Sequence, residues 1–133
     1  MIADTCFIID LMRKKEPALK KLAELEKNND SQYTTSPTVF ELAVGVGQSE
    51  IPEKEKKKVF QVLSQFSVIE FDLESAWEAG IKLGDLFSKG NPVDPIDAQI
   101  AGIALTHDQI VVTRNVKHFT RFSDLKIDDY REK

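Results

Sequence analysis

The chain opens Met1-Ile2-Ala3-Asp4-Thr5-Cys6-Phe7-Ile8-Ile9-Asp10, and that opening leaves little choice of fold. Ile2-Ala3 is long enough only for a very short buried strand. The apolar run that follows Thr5 has no room to be another strand. A strand ending at Asp4 and a helix opened by Thr5 accommodates both. Asp4 then stands at a strand's carboxyl end, the edge where open α/β sheets bind ligands. The rest of the chain determines what else reaches that edge.

Arg13-Lys14-Lys15-Glu16-Pro17 interrupts the first helix, and Pro17 suits the first turn of a second. Leu19, Leu22, Ala23 and Leu25 give that second helix an apolar stripe. Gln32 to Thr35 reads as a short strand of β-favouring types. Ser36-Pro37 is expected to cap and open the next helix, which carries Glu41 near its start in the run Val39 to Val44. Gly45-Val46-Gly47 falls at that helix's end, so it is helix punctuation rather than a dinucleotide-binding turn. Pro52 begins another helix, with Val59, Phe60, Val62, Leu63 and Phe66 expected on its buried side.

Val68 to Phe71 is a third strand, and Asp72 can cap a helix from Leu73 to about Ser88. In that helix Ala76, Ala79, Gly80 and Leu83 suit close packing, and Trp77 is expected to anchor a core or a dimer face. Asp94 is expected to cap a further helix, with Pro95 first and Asp97 in the first turn. Ile96, Ile100, Ile103, Ala104 and Leu105 make it a buried helix. Gln109 to Thr113 is the clearest strand, and Ile127 marks a short last strand at an edge. This alternation predicts one α/β domain over 1–133: a mostly parallel sheet of four or five strands with helices on both faces, three layers in all.

Composition narrows the function classes. At 133 residues, 41% hydrophobic and 30% charged, the chain suits a single globular domain with a real core. No apolar run approaches the roughly 18–20 residues that span a membrane, and no signal-peptide pattern opens the sequence. The single cysteine, Cys6, excludes an intramolecular disulfide and fits a reducing cytoplasm. With only His107 and His118 beside it, a Cys/His zinc set is out of reach. The net charge of −4 argues against nucleic-acid binding through bulk electrostatics. It does not argue against a nuclease, because a cluster of metal-binding acids makes its own protein acidic. Basic residues gather at Arg13 to Lys15, Lys54 to Lys58 and Arg114 to Arg121. The first two groups read as solvated helix faces.

Three acids occupy equivalent places, each near a strand's carboxyl end or in an early turn of a helix: Asp4, Glu41 and Asp97. Each alone has an ordinary explanation, as a cap, a solvated helix residue or the partner of a cap. Together they are harder to dismiss, because Glu41 and Asp97 lie in apolar helices where an unpartnered carboxylate is costly. Carboxylates brought together raise each other's pKa unless a cation sits among them. All-oxygen ligation suits Mg²⁺ or Mn²⁺, and such ions can activate water and stabilise a leaving oxygen in phosphodiester cleavage.

Four segments carry a resemblance: Ile2 to Asp10; Ser36-Pro37-Thr38-Val39-Phe40-Glu41-Leu42; Asp94-Pro95-Ile96-Asp97-Ala98-Gln99-Ile100-Ala101; and Val111 to Phe119. In order and spacing they resemble PIN-domain ribonucleases of the VapC toxin type. The resemblance implies a PIN fold and RNA cleavage dependent on Mg²⁺ or Mn²⁺, one ion or two. It also implies a homodimer held inactive by a cognate VapB-like antitoxin. By position it makes Asp4, Glu41 and Asp97 the metal-binding acids, with Thr5 and Thr113 orienting carboxylates or water. The family's fourth polar position, among the catalytic residues, falls at Asn115, where many members carry aspartate. Relatives with the Thr-Arg-Asn pattern often place an aspartate three residues later, and here that residue is His118. Asn115 acting through a bound water, and Asp94 lending charge, are the expected substitutes. Arg114 and Lys117 are candidates for contacting the RNA backbone.

Two other readings stand beside this one. A PIN fold altered at Asn115 and His118 could serve as a binding or scaffolding module without catalysis. A receiver-like domain phosphorylated on Asp4 would need a later Asp/Lys pair, which the sequence does not offer.

Overall fold

The computed structural model describes residues 1–131. Its strands are β1 (Ile2–Ala3), β2 (Tyr33–Thr35), β3 (Ser67–Ile69), β4 (Val111–Thr113) and β5 (Ile127–Asp129). Its helices are α1 (Thr5–Met12), α2 (Glu16–Lys27), α3 (Ser36–Gln48), α4 (Pro52–Leu63), α5 (Leu73–Ser88), α6 (Pro95–Thr106) and α7 (Val116–Phe119). The sheet order is β3-β2-β1-β4-β5, and every pairing is parallel. Helical crossovers therefore cover both faces, as the alternation of elements predicts.

The two-residue β1 is central because it is buried on both sides. Ile2 points to one face and joins α6 residues Ile100 and Ile103 with Phe119 and Phe122. Ala3 points to the other and joins Phe7, Ile8 and Leu11 of α1 with the inner sides of α2 and α4. Val111 and Val112 repeat this alternation one strand away. The helices α5 and α6 pack closely at Gly102. A Cβ added there would lie 2.7 Å from Ala79 Cβ and 2.8 Å from the Ser75 carbonyl oxygen.

Several local expectations need correction. The cap of α3 is Thr35, whose side chain accepts the Thr38 N–H, and not Ser36. The Ser36 hydroxyl instead accepts the Phe71 N–H at 2.9 Å, tying the start of α3 to the segment after β3. On α2 the buried residues are Ala18, Leu22 and Leu25, while Leu19 and Ala23 face outward. On α4 Phe60 is 59% exposed, whereas Val59, Val62 and Leu63 are inside. Gly80 is exposed, and the close helix approach belongs to Gly102 on the partner helix. Trp77, at 70% exposure, is no core anchor.

Candidate active site at the carboxyl edge of the sheet

Asp4 lies between β1 and the first turn of α1, and it caps that helix by accepting the Phe7 N–H at 3.0 Å. The Cys6 thiol donates to both of its oxygens, at 3.0 and 3.2 Å. The Thr113 hydroxyl lies alongside, because Ala3 pairs with Val112 in the sheet, and favours the charged form of Asp4. The Asn115 N–H donates to Thr113 Oγ1 at 2.8 Å and so holds that hydroxyl in place. Even so, Asp4 is only 2% exposed, and burial outweighs these donors, pushing its carboxyl up to about 6. Repulsion from Asp97 acts in the same direction. The thiol of Cys6 is itself pushed up to about 12, by burial and then by Asp4, so it stays a neutral donor.

Glu41 reaches the same edge from α3. The Thr5 hydroxyl donates to Glu41 Oε1 at 2.5 Å and lies 3.2 Å from the Thr38 hydroxyl, which is fully buried. Glu41 is half-buried, since its neighbours Phe40 and Val44 face outward. Its carboxyl is raised first by burial, with Asp97 and Asp94 adding repulsion and Thr5 opposing it. Asp97 arrives from the first turn of α6, whose cap is Asp94 accepting the Ile96 N–H at 2.8 Å. Burial raises the Asp97 carboxyl too, opposed by His118, whose Nδ1 lies 2.8 Å from Asp97 Oδ2.

The fold thus brings Asp97 within electrostatic reach of Asp4, Glu41 and Asp94, and Glu41 within reach of Asp94. Among the described residues no lysine or arginine pairs with Asp4, Glu41 or Asp97. Nor, among the described residues, do three His, Cys, Asp or Glu side chains close into a ready-made ion cage there. Carboxylates raised by burial and by each other, without a basic partner, are relieved by a divalent cation. Their all-oxygen chemistry suits Mg²⁺ or Mn²⁺ retaining waters. The donor set fits.

The remaining candidates lie on the segment after β4. Asn115 precedes α7, is half-buried and makes no side-chain cap bond. Lys117 is exposed. Arg114 directs Nη1 to both oxygens of Asp10, at 3.3 and 3.2 Å, and its side chain remains 39% exposed.

Three contributors escape the sequence reading. Cys6 holds Asp4, His118 holds one oxygen of Asp97, and Asp10 organises a buried network. The Tyr130 hydroxyl donates to Asp10 Oδ2 at 2.5 Å, an oxygen that Arg114 also reaches. Burial and the Asp10 contact drive the Tyr130 phenol far above its ordinary range, so it stays protonated. Asp10 carried a usable signal: like Glu41, it is an acid within an apolar helical run, and such a residue needs partners.

The PIN domain family's profile matches residues 1–125 of the chain. This chain belongs to the PIN-domain family. It is 31% identical to the tRNA(fMet)-specific endonuclease VapC of Salmonella typhimurium over 127 residues, 96% of this chain and 95% of that one. It is 30% identical to ribonuclease VapC19 of Mycobacterium tuberculosis over 128 residues, 94% of this chain and 96% of that one. Among solved structures, VapBC2 from Rickettsia felis bound to a promoter DNA fragment superposes with a TM-score of 0.88 at 25% identity, covering 96% of each chain. DNA-bound VapBC from Salmonella typhimurium gives 0.85 at 30% identity, covering 97% of this chain and 96% of that one. Within the family, the chain is a VapC-like endoribonuclease.

Proposed function

We propose that this protein hydrolyses RNA phosphodiester bonds using Mg²⁺ or Mn²⁺ held by Asp4, Glu41 and Asp97. The observation that carries the proposal is the convergence of three carboxylates from separate elements, each raised above its ordinary range and none paired with lysine or arginine. When bound, a divalent ion supplies polarisation of the attacking water and charge neutralisation at the phosphate oxygens. The chain's own residues hold the acids in place. Cys6, Thr113 and the Phe7 N–H fix Asp4, Thr5 fixes Glu41, and His118 fixes Asp97. Exposed Lys117 and the open side of Arg114 are offered to backbone phosphates, and Asn115 takes the fourth polar position through a water. Water attacks phosphorus in line, the bond to the 3′ oxygen breaks, and that oxygen takes up a proton. The products carry 5′-phosphate and 3′-hydroxyl ends.

A tRNA is the substrate class we favour, because relatives in Salmonella and Shigella are named as tRNA(fMet)-specific. A VapB-like antitoxin is the partner we infer from the VapBC complexes that share the fold. A groove of about 390 Å³ runs between α1, α3 and α4 past Ile9, Met12 and Val59 to Glu41, and suits an inhibitory peptide. Leu73 and Trp77, 86% and 70% exposed one turn apart on α5, support a homodimer. Among the described residues no helix is long and apolar enough to cross a membrane. The lone free thiol of Cys6 supports a cytoplasmic protein.

The test is cleavage of purified tRNA in Mn²⁺ by the wild type and by Asp4→Asn, with end-group analysis. Cleavage with 5′-phosphate products, abolished by EDTA and in the variant, is expected. Undiminished cleavage in excess EDTA contradicts the mechanism. A scaffolding module would show neither Mn²⁺ binding nor cleavage.

A further inference from the structure

We propose that His118 is a positioning residue that holds one oxygen of Asp97 so that the other is presented to a divalent ion. The proposal rests on the reading of Asp4, Glu41 and Asp97 as metal ligands. Its starting point is the contact between α7 and α6, in which His118 Nδ1 lies 2.8 Å from Asp97 Oδ2. The Asp97 side chain is 16% exposed and the imidazole beside it 49%. Asp97 Oδ2 is thereby committed to a donor. Its other oxygen has no hydrogen bond from the protein and, among the described residues, is not sealed away from solvent. A carboxylate held in this way presents one defined oxygen to a cation, as outer partners do at metal sites generally.

Mn²⁺ binding to the full chain without RNA tests this, followed by the paramagnetic resonance of free Mn²⁺ and by calorimetry. The wild type should bind one ion per chain. His118→Ala should also bind one, about tenfold more weakly, and His118→Gln, whose amide still donates, should recover most of the loss. Because His118 is half exposed on a short helix, these variants should melt close to the wild type. Unchanged affinity in His118→Ala, or a loss in His118→Gln as large as that in His118→Ala, overturns the proposal. No Mn²⁺ binding by the wild type, or wild-type affinity in Asp4→Asn, instead removes the metal-ligand reading and this proposal with it.

Discussion

The hydroxyl of Thr5 donates to Glu41 Oε1 at 2.5 Å, joining residues 36 apart in sequence across the starts of α1 and α3. The contact favours the ionised form of a carboxyl that burial pushes the other way. Thr5→Val keeps the shape and removes the donor, so Glu41 should hold its proton more tightly and orient less well. Mn²⁺ affinity should fall about tenfold, with Thr5→Ser close to wild type. Calorimetry at pH 7 checks this, and equal affinity in Thr5→Val contradicts it.

Asp4 couples folding to pH. Its carboxyl rises from 3.8 to about 6 on folding, so the folded chain binds that proton more tightly than the unfolded chain does. Its contribution to stability is complete below about pH 3.8 and is lost as pH rises through about 6. In metal-free protein the loss is on the order of 3 kcal/mol. Asp4→Asn keeps a capping acceptor and removes the buried charge. In EDTA it should therefore melt above the wild type at pH 8, with the gap closing toward pH 4. A wild type that is more stable at pH 8 would contradict this account. Proton and ion compete for the same oxygens, so Mn²⁺ affinity should also weaken below about pH 6.

The network around Asp10 is separable from the metal site. Asp10 is 4% exposed and held by both Tyr130 and Arg114. Tyr130→Phe removes one donor from a buried carboxylate and should cost about 1–3 kcal/mol in urea unfolding. The folded fraction should retain wild-type Mn²⁺ affinity. A loss of metal binding without a loss of stability would place Tyr130 in the site itself.

What the sequence makes legible follows the range of the interactions. Asp72 before Leu73, and Pro52 and Pro95 at helix starts, act within one turn, and those boundaries are where local chemistry puts them. The acids are legible for a related reason: parallel strands deliver their carboxyl ends to one edge, so position along the chain gives position in space. Which face of a helix is buried depends on its neighbours. For that reason Leu19 and Phe60 are exposed while Ala18 is inside. His118 on Asp97 and Tyr130 on Asp10 join segments 21 and 120 residues apart, beyond any local pattern.

Gly102 makes a packing prediction independent of chemistry. Its added Cβ would meet a backbone oxygen 2.8 Å away as well as Ala79 Cβ, and backbone has little freedom to retreat. Gly102→Ala should destabilise by about 1–3 kcal/mol despite alanine's better helix propensity. Thermal unfolding decides: a variant as stable as the wild type shows that α5 and α6 can separate freely.

The central claim is that Asp4, Glu41 and Asp97 together hold the catalytic ion. A crystal soaked in Mn²⁺, measured for anomalous scattering, tests it most directly. The account predicts a peak at the carboxyl edge of β1, with carboxylate oxygens of these acids either about 2.1 Å away or hydrogen-bonded to a water that the ion holds at that distance. A Mn²⁺ peak elsewhere, with Asp4 and Asp97 contacting no ion, would contradict it.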